Sequence, residues 1–199
     1  KVRYLEGYKE VITNRSASAC LAGDLFQNAG WIAIVTYSAS FFRQQFTAST
    51  GLVSIMYMGS AISYILGNLI SGRLVNRFGR RPTTILAVLL AGVFTIFYTT
   101  LPNLWLCLAI DYLGCLFSGV VAVALSSLLI EQVPSFRGTM MSIDSAVVSV
   151  GGALGSGLGG LMILMFNYEF MSSSLGAMYI IGAMICYLFV IDPTRRSRQ

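Results

Sequence analysis

Histidine is absent from this chain of 199 residues, and charge is scarce: Asp, Glu, Lys and Arg together make up 11%. The first absence excludes histidine bases, imidazole metal ligands and any nucleophile–histidine pair. The second excludes an ordinary soluble surface, because a soluble domain carries about a quarter charged residues. Cysteine occurs as Cys20, Cys107, Cys115 and Cys186, never as Cys-x-x-Cys. Cys107 and Cys115 are eight positions apart, too far for a local zinc knuckle, so all four read as buried free thiols. No cleavable leader is expected, since Lys1 to Arg15 is polar, mixed in charge and without an apolar centre. With no His-Asp-Ser set and no metal cluster, an enzyme is not expected, nor is a cofactor.

What is present is apolar sequence: 56% of residues are hydrophobic and the mean hydropathy is +0.75. A membrane-crossing helix needs about 20 mostly apolar residues. Six segments qualify: about 16–42, 52–72, 83–101, 104–130, 139–166 and 170–191. The fold class expected is therefore an all-α membrane bundle of six transmembrane helices. Residues 1–15 form a polar lead-in, 16–191 the bundle and 192–199 a polar tail. Pro102, Pro134 and Pro193 fall at predicted helix boundaries, where a missing N–H does least harm. Pro82 belongs in the first turn of the third span.

The net charge of +5 does not point to nucleic acid, because the basic residues are gathered in turns. Six spans put both ends of the chain on one face. That face receives twelve of the thirteen Lys and Arg, leaving only Arg43 on the other. The positive-inside rule then makes both termini cytoplasmic in a multi-pass protein of the plasma (inner) membrane. One more or one fewer span would scatter the basic turns over both faces.

The densest basic turn is Gly72-Arg73-Leu74-Val75-Asn76-Arg77-Phe78-Gly79-Arg80-Arg81-Pro82. Its four arginines fix it at a water-facing surface, since arginine at the centre of a bilayer is expensive. It resembles the signature loop of the major facilitator superfamily of secondary transporters, Gly-x-x-x-Asp-Arg-x-Gly-Arg-Arg. Gly72, Arg77, Gly79, Arg80 and Arg81 match, and Asn76 stands where the loop has aspartate. The connection Glu131-Gln132-Val133-Pro134-Ser135-Phe136-Arg137-Gly138 looks like the family's turn between its fourth and fifth helices. Gly155-Ser156-Gly157-Leu158-Gly159-Gly160 is similar to the antiporter motif Gly-Pro-x-x-Gly-Gly, with Ser156 in the proline position.

The resemblance implies one half of a two-half transporter, built from two inverted three-helix repeats. The degenerate loop aspartate, the missing proline, and Asp111 where amino-terminal halves usually carry arginine point to the carboxy-terminal half. The branch most resembled is that of drug:proton antiporters and related sugar-efflux permeases. Its members imply proton-coupled efflux of a small organic solute by alternating access, driven by a proton gradient, with the other half in cis or a second copy as partner. A sugar or organic-acid porter of the same superfamily is the alternative; a non-transporting six-span module is a third reading. The motif further implies a cytoplasmic latch. Asn76 would cap the fifth span near Arg137 and Gly138, and Glu131 would pair with Arg80 or Arg81.

Three carboxylates lie inside spans, Asp24, Asp111 and Asp144, with no intramembrane Lys or Arg to pair them. Such a group needs a wet cavity, a partner or a proton, so each is a candidate for substrate or proton handling. Asp24 and Asp144 lie toward the inner side and Asp111 toward the outer. Gln27 and Asn28 extend the polar patch at Asp24; Tyr37, two and a half turns beyond Asn28, is read as sharing its face, and Tyr112 adjoins Asp111. The resemblance places the first, second, fourth and fifth spans around the cavity and the third and sixth outside it. Small residues recur every four positions, as Gly59, Ser63, Gly67, Ser71 and as Gly151, Gly155, Gly159 beside Gly152, Ser156, Gly160. Such rows allow close helix approach, and in a rocking protein they would act as sliding surfaces.

The topology has a direct test in intact cells carrying single introduced cysteines. An impermeant thiol reagent is expected to label a cysteine placed at Glu169 and to spare one at Arg196. The reverse pattern overturns the assignment of faces.

Overall fold

The computed structural model describes residues 2–192, and side chains from Leu5 onward. The basic tail with Arg195, Arg196 and Arg198 lies outside the described residues, as do Lys1 and the side chain of Arg3. Among the described residues there are seven α-helices, one short 3-10 turn and no strand. They are α1 (Val2–Thr13), α2 (Arg15–Phe46), α3 (Thr50–Phe78), α4 (Arg80–Tyr98), α5 (Leu104–Gln132), α6 (Arg137–Met165) and α7 (Tyr168–Phe189).

Helices α3 to α7 are long and apolar enough to cross a membrane. Helix α2 has the length, at 32 residues, but Arg15, Asp24, Gln27, Asn28 and Arg43 dilute its apolar content. The expected polar lead-in is largely helical: α1 occupies it and seats Gly7 against Phe136 and Thr139. Pro82 falls in the first turn of α4 and Pro134 opens the 3-10 turn between α5 and α6, as their missing N–H groups favour.

Helix starts leave free amide groups, and four asparagine or serine caps satisfy some of them here. Asn14 Oδ1 accepts from the amides of Ser16 and Ala17 at 3.0 and 3.2 Å, opening α2. Asn103 does the same for α5, accepting from Trp105 N at 2.9 Å, and Asn167 for α7, from Phe170 N at 2.8 Å. Ser49 Oγ accepts from Leu52 N at 3.3 Å at the start of α3. Between α3 and α4 the link is the single residue Gly79, with φ at +94°. Only glycine adopts that backbone without strain, which explains the glycine in the middle of the arginine turn.

Two helices organise the bundle. Helix α2 packs along α6 and α7; α5 packs along α3 and α4; α4 and α7 close the back. The small-residue rows are the seams of this packing. A side chain on Gly67 would run into Leu116 of α5, and one on Gly155 into Ala29 of α2. Ser71 Oγ donates to Val120 O at 3.0 Å, adding a hydrogen bond to the α3–α5 seam. The rows are thus occupied by packing within this bundle rather than left open as sliding surfaces. Outward, α3 and α6 present apolar side chains such as Ile55, Leu69, Leu154 and Leu164, fitting a surround of lipid or protein rather than water.

Gly155→Leu is expected to destabilise the protein by about 1–3 kcal/mol, because an added side chain overpacks a backbone contact. Gly157→Ala, where an added Cβ meets nothing, should be neutral or slightly stabilising. Thermal unfolding in detergent separates the two.

Candidate functional site

Three helical stripes face one another across the bundle. On α2, Trp31, Ile34, Val35, Ser38 and Phe42 recur at the spacing of one helix face. On α3, Met56, Tyr57, Ser60, Ala61 and Tyr64 do so, and on α5, Asp111, Gly114, Cys115 and Ser118. Between them lies a cavity of about 400 Å³, floored by Phe94, Thr95 and Tyr98 of α4 and Tyr179 of α7. The expectation that the third and sixth spans stay outside the cavity is therefore corrected. Their long aromatic side chains reach past the packed backbones to its floor.

Asp111 is the one carboxylate in this cavity. Ser60 Oγ donates to Asp111 Oδ2 at 2.7 Å, and Cys115 Sγ stands 3.9 Å from the same oxygen. The floor is fixed by Tyr98, whose hydroxyl is 3.3 Å from Ser38 Oγ. Tyr57 ties α3 to α2, its hydroxyl donating to Val35 O at 2.7 Å and accepting from Ala39 N at 3.0 Å. The remaining walls are mostly aromatic and aliphatic, with the hydroxyls of Thr95 and Ser118 among them.

A second, smaller cavity of about 150 Å³ continues along the same faces of α2 and α5. Asp24, Gln27 and Asn28 of α2 line it with Ser126 of α5 and Asp144 of α6. Asn28 Nδ2 donates to Asp24 Oδ1 at 2.8 Å, and the Asp24 and Asp144 carboxyls are side-chain neighbours. Trp31 and Tyr64 border both cavities, with their rings stacked at 5.3 Å between centroids. That stack is the partition between an apolar chamber with one acid and a polar chamber with two.

Two sequence-predicted residues leave the site. Tyr37 lies in neither cavity; its hydroxyl donates to Ser156 O at 2.8 Å, and its ring covers Gly159 and Gly160. Two and a half turns place it on the opposite face from Asn28, not the same one. Tyr112 packs against Gly59, because adjacent helical residues point about 100° apart.

At one end of the bundle the arginine turn meets the α5–α6 connection. Glu131 pairs with Arg80 at 3.6 Å and with Arg137 at 3.3 Å. Arg81 donates to Tyr187 O, close to the end of α7. Arg77 is exposed, over the Phe78 ring at 5.3 Å. Asn76 is exposed too, and α6 begins without a side-chain cap. The expected Asn76 cap is not formed; a neutral amide gains little from the helix dipole, and the turn is held through Arg80 instead. Gly72 and Gly138 are exposed, with open space where a side chain would be.

Sequence reasoning missed Gln132, the buried hub of this end. It accepts from Ser16 Oγ at 2.6 Å and donates to Ile191 O at 3.0 Å, while its carbonyl accepts from Asn14 Nδ2 at 3.2 Å. Thus the start of α2 and the ends of α5 and α7 share one side chain. Missed also were Ser60, Trp31 and Tyr64, although Tyr57, Ser60 and Tyr64 share the i, i+3, i+7 spacing of one polar and aromatic face.

Long apolar helices around an internal chamber with a lone carboxylate define an integral multi-pass membrane protein of the transporter class. The chain belongs to the Major Facilitator Superfamily, whose profile matches residues 20–199. It is similar to the inner membrane transport protein YnfM of Escherichia coli (strain K12), 28% identical over 157 residues. That match covers 78% of this chain and 37% of YnfM. It is also similar to YceJ of Bacillus subtilis (strain 168), an uncharacterized MFS-type transporter, 21% identical over 155 residues that cover 78% of this chain and 40% of YceJ. The aligned part of the chain thus spans well under half the length of these relatives. Membership is of a transporter family, not an enzyme family.

Gln132→Ala should destabilise the bundle by about 1–3 kcal/mol, the typical result of stranding buried partners. Gln132→Glu keeps the bond from Ser16 and loses the one to Ile191, so it should fall between wild type and the alanine variant in thermal unfolding.

Proposed function

We propose that this chain is the carboxy-terminal six-helix half of a secondary transporter, with α2 as its first span. The packing supports two inverted repeats: exchanging α2, α3, α4 for α5, α6, α7 turns the α3–α5 and α4–α5 contacts into α6–α2 and α7–α2 contacts. In this reading both ends of the chain are cytoplasmic in the inner membrane, and the Arg80–Glu131–Arg137 bridge marks the cytoplasmic end. The two halves rock about the cavity to alternate its access.

The observation that carries the reading is Asp111, a single carboxylate in a chamber walled by aromatic and aliphatic side chains. Such a wall binds apolar surface, and one acid suits a solute bearing a basic nitrogen. The scarcity of polar lining disfavours a sugar, whose hydroxyls would go unpaired. The Asp24–Asp144 neighbours fit what a non-transporting module would bury, whereas Asp111 has no second acid and no cation beside it. An efflux cycle follows from competition: a proton and a cationic solute displace one another at Asp111. Proton entry from outside then drives solute exit.

Asp111→Asn keeps the shape of the side chain and removes its charge. In the full-length protein it is expected to abolish gradient-driven uphill transport in proteoliposomes while downhill exchange of the solute persists. Uphill transport at the wild-type rate would make Asp111 structural.

A further inference from the structure

Helices α2 and α7 run antiparallel along one seam, and that seam carries two of the four cysteines. Its register is fixed at two levels. At the arginine-turn end, Ile191 N donates to Ser16 Oγ at 2.8 Å. Further in, the backbones touch: a Cβ added to Gly182 would lie 2.9 Å from Gly23 O. Between these levels, Cys20 follows Ser16 by four residues and Cys186 precedes Ile191 by five, so the two thiols fall opposite each other. Their side chains are neighbours, and Cys186 Sγ fills the space over Gly23, one turn from Cys20 on the same face of α2. Cys20 is 0% exposed and Cys186 2%.

A disulfide needs Cα atoms about 4.4–6.8 Å apart, and so helices packed more closely than usual. The Gly23–Gly182 contact provides that approach one turn from the pair. The other two cysteines are engaged elsewhere: Cys107 Sγ donates to Leu101 O at 3.1 Å, and Cys115 faces Asp111. The pair sits one turn inside the clasp of Ser16, Gln132 and Ile191, and Ile191 is 55% exposed. Burial keeps both thiols unreactive while the clasp is shut. The clasp bonds exchange for water at little net cost, and their opening uncovers the pair.

We propose that Cys20 and Cys186 are an oxidisable pair, which a peroxide converts into a disulfide stapling α2 to α7 beside the Gln132 clasp. The peroxide oxidises one thiol to a sulfenic acid, and one water leaves. The second thiol attacks that sulfur, the S–O bond breaks and a second water leaves. The two thiols give up two protons and two electrons, and the peroxide is reduced to two waters. A thiol reductant reverses the bond by exchange. The staple holds the end of the bundle whose other bonds are exchangeable, so oxidation arrests the movement of that end.

The test uses the full-length protein, purified in detergent and reduced, then treated with hydrogen peroxide at fixed pH. Unreacted thiols are alkylated and the digest is mapped by mass spectrometry. The expected product is a peptide pair joined through Cys20 and Cys186, two hydrogens lighter than its parts and separated by dithiothreitol. The unfolding temperature should rise by about 5 °C or more, because the bond closes most of the chain into one loop, and should return on reduction. Amide hydrogen exchange at the start of α2 and the end of α7 should slow by about tenfold or more. Cys20→Ala and Cys186→Ala should each lose the rise, and Cys107→Ala should keep it. Should an alanine variant fail to fold, the wild-type map and its reversal still decide. Thiols that stay reduced at a peroxide dose that oxidises those of the unfolded protein overturn the proposal. So does oxidation of either cysteine without a bond, a bond through another cysteine in place of this one, or a bond that leaves unfolding temperature and exchange unchanged.

Discussion

A carboxylate inside a membrane must face water, a partner or a proton, and this constraint orients the whole bundle. Asp24 and Asp111 are carried by α2 and α5, and those two helices turn their polar faces toward each other. The other spans then take the only positions left. Helices α3 and α6 flank the polar faces, and α4 and α7 cover the backs of α2 and α5. Helix α2 is the least apolar of the long helices for the same reason: it lines both chambers, from Asp24 to Phe42.

The seams follow from the facing. For α3 and α6 to flank chambers on one side, they must lie close to α5 and α2 on the other. Lipid supplies no hydrophobic force between helices, so close approach has to come from van der Waals contact between backbones. Gly67 and Gly119 on one seam, Gly151 and Gly155 on the other, are what permit it. The chambers and the glycine rows are two sides of one arrangement: the rows narrow the backs of the helices, and the bulky aromatics hold their fronts apart.

Much of this was legible in sequence because it depends on single-residue physics. Five of the six expected spans followed from apolar length, and the arginine turn from the cost of burying guanidinium. The three acids stood out because nothing basic lies near them. What escaped was whatever depends on the angle between residues on different helices. Tyr37 was placed with Asn28 by counting turns, and half a turn moved it to the α6 seam. Gln132 looked like an ordinary polar residue at a helix end; its role depends on Ser16 and Ile191, 116 and 59 positions away. The pairing of Asp24 with Asp144 likewise needed the α2–α6 seam to be known first.

The two ends of the bundle are held by different chemistry, and the difference bears on how it could move. One end is an aromatic cluster, where Phe41 meets Phe42, Tyr98 and Tyr168 at centroid distances of 5.3 to 5.5 Å. Such packing is tight and depends on shape, and it strains before it slides. The opposite end is a polar clasp: Gln132 with its three partners, and Glu131 shared between two arginines at least partly exposed to water. Hydrogen bonds and solvated ion pairs can be exchanged for water at little net cost, because water replaces each lost partner. A bundle fixed by aromatic packing at one end and by exchangeable bonds at the other is stiffer at the first. Rearrangement of the helix ends is therefore easiest at the arginine turn, the end that faces the two-acid chamber.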